Sequence, residues 1–145
     1  MASTNQIRTR WMGQMSFEST NPSGIDFRID ASEEDGGKGE GLRPKALMLS
    51  SLAGCSGLDV ASMMRKMRLE VDDFHIETVG TLSDSQPQTY TSVWLEYHFY
   101  GSGLDRPKLN RAVKLSVEKY CGVFKMFRAF AEMGYETIFH DKEEG

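Results

Sequence analysis

The sequence predicts an α+β fold in which short strands surround one long helix. Three observations lead to this prediction. The stretch Arg43–Leu69 is rich in Ala, Leu, Met and Ser, and its first two-thirds are almost uncharged. Segments on both sides of it alternate apolar and polar residues, as strands with one buried face do. Helical spacing returns after Asp105, so the predicted order of elements is ββ-α-ββ-αα-β.

Two strands are predicted before the long helix. Apolar residues alternate over Trp11–Phe17 and, more regularly, over Ile25–Ile29. Turn-forming residues at Asn21–Gly24 separate the two runs, which indicates an antiparallel hairpin. The charged, Gly-rich segment Ser32–Gly41 follows, and we expect a flexible loop there. It lacks the lysine-serine pair of a phosphate-binding loop.

The long helix is predicted to be the central core helix, because a helix that is apolar nearly all round must be covered on most sides. Pro44 suits its first turn, and the basic run Arg65–Arg68 suits its C-terminal end. At its middle, Gly54–Gly57 surrounds Cys55 with small side chains. Two glycines inside a helix cost about 2 kcal/mol relative to alanine. Either another backbone packs closely there, or a reactant has to reach the sulfur.

Two further strands and two helices are predicted after the long helix. The strands are Phe74–Leu82 and Thr91–Tyr100. Asp105 is the predicted N-cap of the first helix, with Pro107 just inside it.

The second of these helices is predicted over Val123–Met133, with Gly134 as the residue that follows its C-terminus. Tyr135–His140 is the predicted last strand. The two ends of the chain, Met1–Gln6 and Asp141–Gly145, are polar, and we expect no regular structure there.

Composition limits the classes of function. The 145 residues are expected to form one domain, residues 1–145, with a net charge of −4. No basic stripe indicates nucleic-acid binding, and no apolar signal segment opens the chain. The long helix contains too much Ser and Gly for a membrane span. We therefore expect a cytosolic protein with neither a nucleic-acid nor a membrane partner.

The residues that bear chemistry are two cysteines and three histidines. In a reducing compartment, Cys55 and Cys121 are either buried apolar residues or redox groups. Cys121 follows Lys119 near a predicted helix start, an environment that lowers a thiol pKa. The spacing of His75, His98 and His140 is not that of metal ligands, so we expect neither a metal nor another cofactor. All three are expected to be surface or half-buried residues.

Asp59, four residues after Cys55, lies on the same helix face. Three interpretations stay open for it: a packing or capping role, a hydrogen bond with a neighbouring subunit, or orientation of a cation.

The sequences PKALMLSSLAGCSGLDV at residues 44–60 and SVEKYCGV at residues 116–123 resemble the two cysteine motifs of the OsmC/Ohr family of thiol-dependent peroxidases. The resemblance covers nearly the whole chain. It implies an OsmC-like fold and an intertwined homodimer. It also implies that Cys55 attacks the peroxide, that Cys121 resolves the sulfenic acid as a disulfide, and that a thiol reductant restores both.

One motif departs from the hydroperoxidase pattern. The Asn-Pro-Glu whose glutamate holds an activating arginine in that family is replaced by Arg43-Pro44-Lys45. Arg10 and Arg43 are the candidates for such an arginine. The chain resembles more closely the OsmC-like branch with a Leu-Ala-Gly-Cys-x-x-x-Asp-Val signature.

Three functional interpretations follow. The first is a peroxidase for organic hydroperoxides, whose pocket at the dimer interface is made apolar by Tyr120, Phe124 and Phe127. The second is a non-enzymatic dimeric module that binds a small hydrophobic molecule in the same pocket. In the third, Cys55 and Cys121 are ordinary buried thiols.

Overall fold

A computed structural model describes residues 3–142, with elements in the order βββ-α-ββ-αα-β. The predicted α+β class and the long helix are confirmed. Residues 1–2 and 143–145 of the two polar ends lie outside the described residues. The chain divides into two units, one reaching as far as Met48 and the other beginning at Leu49.

The first unit contains a three-stranded antiparallel sheet in the order β1-β2-β3. Its strands are β1 (Thr9–Trp11), β2 (Ser16–Ser19) and β3 (Phe27–Asp30). The hairpin predicted around Asn21–Gly24 is confirmed as the β2–β3 connection, in which Gly24 has φ = +85°. The single strand predicted over Trp11–Phe17 is wrong. Gly13 and Gln14 have φ values of +99° and +51°, so the chain turns there and forms two strands.

The Gly-rich segment after β3 is tied to the buried carboxylate of Asp30. The backbone N–H groups of Lys38 and Glu40 donate to Asp30 Oδ2 at 3.1 and 3.2 Å. Burial acts to raise the pKa of this carboxyl, but these hydrogen bonds prevail and lower it. The segment contains one short 3₁₀ turn, Glu33–Asp35, and otherwise runs as the predicted loop.

The first unit buries no apolar side chain among its described residues, 3–48. Trp11 and Ile25 are 64% and 72% exposed. Strands of three or four residues need an apolar face packed against something for stability. The apolar side chains of this unit, Trp11 and Ile25 among them, are thus largely exposed in the single chain.

Helix α1 spans Pro44–Lys66, within the predicted stretch. Arg68, with φ = +54°, follows its end. In this chain α1 buries only one stripe, consisting of Leu52, Ser56 and Val60. By length and composition alone α1 could cross a membrane, but core helices of soluble proteins meet the same criterion, so this carries little weight.

The second unit contains a three-stranded sheet and two helices that follow α1. The sheet has the order β4-β5-β6, with β4 and β5 antiparallel and β5 and β6 parallel. The elements are β4 (Asp73–Leu82), β5 (Tyr90–Gly101), α2 (Arg106–Leu115), α3 (Gly122–Arg128) and β6 (Glu132–Asp141). A π-helical turn over Ser116–Tyr120 joins α2 to α3. Asp105 is the N-cap of α2, as predicted.

The hydrophobic core lies in the second unit. Alternate residues of β5 supply its centre, and Leu95, Tyr97 and Phe99 are fully buried. Apolar residues of the helices complete the cluster, among them Leu52, Leu109, Val113, Phe124 and Phe127. The alternation of apolar and polar residues in the sequence of β5 therefore identified the buried face of this strand.

The end of the last helix differs from the prediction. Helix α3 ends at Arg128, and Gly134 lies inside β6 rather than after a helix. Gly134 pairs with Trp94 of β5, and a Cβ atom at this position would lie 2.6 Å from Trp94 Cε3. Glycine is therefore explained here by the approach of an indole ring, not by helix termination.

Candidate functional site

Cys55 and Cys121, which are 66 positions apart in sequence, meet in the second unit. Cys55 is half-buried on α1, and Cys121 is 4% exposed at the start of α3. Both are free cysteines, and Cys55 lies close enough to Cys121 to affect the pKa of its thiol. The fold thus provides a thiol pair with one accessible and one buried member.

The π-helical turn places Cys121. The Cys121 N–H donates to the Ser116 carbonyl at 2.8 Å, which closes the turn, and α3 begins at the next residue. The Cys121 sulfur then caps α3 by accepting the N–H of Phe124 at 3.3 Å. The predicted position of Cys121 near a helix start is confirmed, and Cys121 itself is the extended residue that precedes α3.

The predicted lowering of the Cys121 pKa is wrong. Burial and the neighbouring Cys55 thiol raise the pKa of Cys121 to about 12, against the weaker effect of the Phe124 N–H. The carboxylate of Asp59 also contributes to the raised pKa of Cys121.

These environments predict selective alkylation. At about pH 8 Cys121 is almost entirely protonated, because its pKa lies about four units higher, and only a thiolate reacts. We expect iodoacetamide to label Cys55 alone in the folded protein, and both cysteines after unfolding. Because the shift is upward, labelling of Cys121 should remain negligible on going from about pH 7 to about pH 10. Peptide mass spectrometry measures this, and equal labelling of the two folded thiols would contradict it.

A buried polar chain adjoins the thiol pair, and sequence reasoning missed most of it. Ser56 Oγ lies 2.6 Å from Tyr97 Oη and 2.8 Å from Ser116 Oγ. Ser116 Oγ donates to Asp59 Oδ2 at 2.9 Å. The structure therefore gives Asp59 an intrachain hydrogen bond, which was not among the three interpretations left open for it. One sequence signal existed: Ser56 lies midway between Leu52 and Val60 at helical spacing, in the buried stripe of α1.

With the fold and thiol pair established, comparison with known proteins identifies the family. The sequence model of the family described as OsmC-like protein matches residues 37–134. The chain belongs to the OsmC-like protein family. The resemblance identified from the two cysteine motifs is thereby confirmed.

Individual relatives cover nearly the whole of this OsmC-like protein. Protein YhfA of Escherichia coli (strain K12) is 30% identical over 135 residues, which are 92% of this chain and 98% of the relative. A crystal structure of a hypothetical protein from Aquifex aeolicus VF5 has a TM-score of 0.79 at 27% identity, covering 97% and 100% of the two chains.

The organic hydroperoxide resistance protein OhrB of Bacillus subtilis has a TM-score of 0.64 at 22% identity, covering 94% of this chain and 98% of its own. At that level of identity the likeness shows a shared fold.

The small residues around Cys55 are not explained by backbone packing within this OsmC-like chain. An added Cβ at Gly54 would meet nothing within 4 Å, and one at Gly57 would touch only the Ile76 side chain at 3.4 Å. Of the two interpretations offered by the sequence, close backbone contact is absent among the described residues. Access to the Cys55 sulfur stays a prediction.

The three aromatic residues predicted to line a pocket at Cys55 separate into two groups. Phe124 and Phe127 are 1% and 2% exposed in the core. Tyr120 is 54% exposed and lines an open cavity of about 550 Å³, together with Asp59 and Lys66. Neither cysteine lines that cavity. The single chain does not contain a dimer interface, so an apolar pocket at Cys55 lined by these three residues stays a prediction.

The three histidines come together on the face of the sheet opposite the core. The His75 and His98 rings stack at 4.6 Å, and His98 Nδ1 lies 2.9 Å from His140 Nε2. His98 Nε2 also lies 3.3 Å from Glu96 Oε1. The spacing of the three histidines in the sequence did not indicate this cluster, because the residues come together only when the strands pair. Among residues 3–142, no group of three or more His, Cys, Asp or Glu residues could hold a metal ion.

The candidates for an activating arginine, Arg10 and Arg43, belong to the first unit, as does Lys45, whereas both cysteines belong to the second. A role for any of them at Cys55 stays a prediction.

Proposed function

We propose that this protein is a cytosolic thiol peroxidase that reduces organic hydroperoxides through Cys55 and Cys121. One observation carries the proposal: two free thiols that are far apart in sequence lie close enough to interact, and Cys55 is half-buried whereas Cys121 is 4% exposed. A peroxidatic cysteine has to be reached by substrate, whereas a resolving cysteine has only to reach its partner. Half-buried Cys55 suits the first role and buried, protonated Cys121 suits the second.

The reaction balances with these two residues and a reductant. The Cys55 thiolate attacks one oxygen of the peroxide, so an S–O bond forms, the O–O bond breaks, and the alkoxide takes a proton and leaves as an alcohol. Cys121 then attacks the sulfenic acid sulfur, which forms the disulfide and releases water. The peroxide has gained two electrons and the thiol pair has lost them. A dithiol reductant returns them by exchange.

We also propose that the working form is a homodimer. Over its described residues, 3–48, the first unit fully buries no apolar side chain, and Leu58 on α1 is 75% exposed in this chain. A second copy of this chain can bury these exposed apolar side chains, so no other protein is needed. Closed twofold symmetry is the commonest arrangement of soluble oligomers. The intertwined form stays an implication of the family.

The names of structural relatives support the redox proposal at the level of analogy. OhrB of Bacillus subtilis is named for organic hydroperoxide resistance, and so is an OsmC protein from Legionella pneumophila with 15% identity and a TM-score of 0.69. Fold likeness alone does not assign an activity.

One observation favours the alternative function, a non-enzymatic dimer that binds a small hydrophobic molecule. The charged group that acts on Cys121 is the Asp59 carboxylate, and a carboxylate opposes thiolate formation. In addition, lysine replaces the glutamate expected before the helix, at Lys45.

Counting thiols tests the proposal. The reduced protein is treated with one equivalent of cumene hydroperoxide, and free thiols are followed with time alongside an unfolded control. We expect the loss of two thiols per chain as an intramolecular disulfide, which a dithiol reverses. No loss over hours would contradict the peroxidase, and binding of a hydrophobic fluorescent probe would then be measured for the alternative.

A further inference from the structure

One residue, Ser116, bonds to both of the elements that carry the cysteines. It is the first residue of the π-helical turn. Its Oγ lies 2.8 Å from Ser56 Oγ and donates to Asp59 Oδ2 at 2.9 Å, so its side chain is fixed to α1 in the turn that follows Cys55. Its main-chain carbonyl accepts the Cys121 N–H at 2.8 Å. Ser116 therefore connects the helix of Cys55 directly with the backbone of Cys121.

The arrangement of protons fixes the orientation of the Ser116 hydroxyl. A serine hydroxyl has one proton to donate, and the charged Asp59 carboxylate is a stronger acceptor than the Ser56 carbonyl, which lies 3.4 Å away. With the Ser116 proton committed to Asp59, Ser56 donates to Ser116. Tyr97, at 2.6 Å, then donates to Ser56. The Ser116 hydroxyl thus makes one bond to α1 as donor and one as acceptor.

This connection is buried at the middle of the contact that α1 makes with the rest of the second unit. Ser56 lies between Leu52 and Val60 in the buried stripe of α1, and both Ser56 and Ser116 are fully buried. Buried hydroxyl groups destabilise a fold unless they are hydrogen bonded, and a satisfied buried network favours one arrangement of its elements. The position of α1 is therefore set by directional bonds as well as by apolar packing.

Cys121 is held at both ends of its own structure. Its N–H is bonded to the Ser116 carbonyl, and its sulfur accepts the Phe124 N–H at 3.3 Å. The resolving thiol is thus fixed relative to the π-helical turn and α3. The position of α1 against that turn then decides how close the Cys55 sulfur comes, and the Ser116 side chain controls that position.

We propose that Ser116 is a positioning residue for disulfide formation, which holds α1 against the π-helical turn so that Cys121 meets oxidised Cys55. This proposal rests on the proposed function. In that step the Cys121 sulfur displaces hydroxide from the sulfenic acid of Cys55. The S–S bond forms, the S–O bond breaks, and the thiol proton and the hydroxide leave as water. Ser116 takes no part in these bond changes.

Disulfide formation is the step that is sensitive to this placement. A disulfide needs Cα atoms about 4.4–6.8 Å apart and a narrow range of side-chain geometry. A misplacement of about 1 Å can slow a reaction on the order of 100-fold. The attack of Cys55 on a peroxide requires nothing from Cys121. Loss of the connection through Ser116 should therefore affect the second step and leave the first unchanged.

The test measures the two steps separately after one equivalent of cumene hydroperoxide. Peroxide loss reports the first step, and loss of the dimedone-reactive sulfenic acid reports the second. Ser116→Ala removes both side-chain bonds to α1 but keeps the carbonyl that binds the Cys121 N–H. We expect an unchanged first step and a second step slowed about 10- to 100-fold. With excess peroxide, the longer-lived sulfenic acid at Cys55 should over-oxidise.

Tyr97→Phe is the matched control, because it removes a buried hydrogen bond to the same Ser56 but leaves the bonds between Ser116 and α1 in place. Thermal unfolding should show that both variants are folded and less stable than the wild type. We expect Tyr97→Phe to keep the wild-type rate in the second step. A general loss of stability would instead slow this variant as much as Ser116→Ala.

A second pair of variants changes the other end of the connection, at the partly exposed Asp59. Asp59→Ala removes the acceptor of the Ser116 proton, whereas Asp59→Asn keeps an oxygen there and removes only the charge. We expect Asp59→Ala to slow the second step and Asp59→Asn to recover most of the rate. Because this pair leaves Ser116 intact, it tests the proposal even if Ser116→Ala does not fold.

Three results would overturn the proposal. The first is a second step at the wild-type rate in folded Ser116→Ala or Asp59→Ala. The second is equal slowing in Tyr97→Phe and Ser116→Ala. The third is equal slowing in Asp59→Asn and Asp59→Ala, which would assign the effect to the charge of Asp59. Failure of the proposed function looks different, because the wild-type protein would then consume no peroxide in the first step.

Discussion

Replacing Cys55 with serine is expected to abolish peroxide-driven thiol loss, with a fall in rate of at least about 1000-fold, as removal of a reacting nucleophile does. The remaining thiol is that of Cys121, which is 4% exposed and has a pKa of about 12. It can neither meet the peroxide nor ionise near neutral pH. The measurement is peroxide consumption together with the free-thiol count.

Cys121→Ser is the matched variant, because serine also caps helix N-termini and should keep the start of α3 intact. This variant should consume peroxide once and lose one thiol instead of two. Its Cys55 should accumulate as sulfenic acid and then over-oxidise, since the resolving partner is gone. If Cys121→Ser lost the first step while Cys55→Ser kept it, the two roles would have to be exchanged.

Replacing Leu58 with aspartate is expected to convert the dimer to a monomer, or to prevent stable folding. Leu58 is 75% exposed although it lies in the least charged part of a 23-residue helix. Burial of a leucine contributes about 1.5–3 kcal/mol, and in a twofold dimer the substitution acts twice. Light scattering across a dilution series measures the mass, and thermal unfolding measures the stability.

Met126→Asp is the control for Leu58→Asp. Met126 is also an exposed apolar residue on a helix, at 65%, but it lies on α3. We expect this variant to stay dimeric, with little loss of stability. A folded, stable monomer of the wild-type protein, or an unchanged dimer of Leu58→Asp, would contradict a dimer contact through this face of α1.

Local sequence signals predicted much of the fold because their causes are local. Asp105 and Gly122 mark the starts of α2 and α3, since capping and chain breaks depend on a few neighbouring residues. Alternation along β5 identified its buried face for the same reason. Local signals failed where a distant element decides the outcome. In the sequence Gly134 resembles the residue that follows a helix. In the structure it lies in β6, where the Trp94 ring approaches it closely.

The sequence by itself determined the family, the helix that carries Cys55 and the position of Cys121 near the start of a helix. Only the tertiary structure decided which thiol is buried, and hence which one stays protonated. A pKa depends on desolvation and on groups that reach the site from elsewhere in the chain. The Ser56 contacts with Tyr97 and Ser116 span 41 and 60 positions. No sequence pattern within α1 indicates contacts with residues that lie so far away along the chain. The hydrogen-bonded polar chain beside the cysteines is therefore visible only in the tertiary structure.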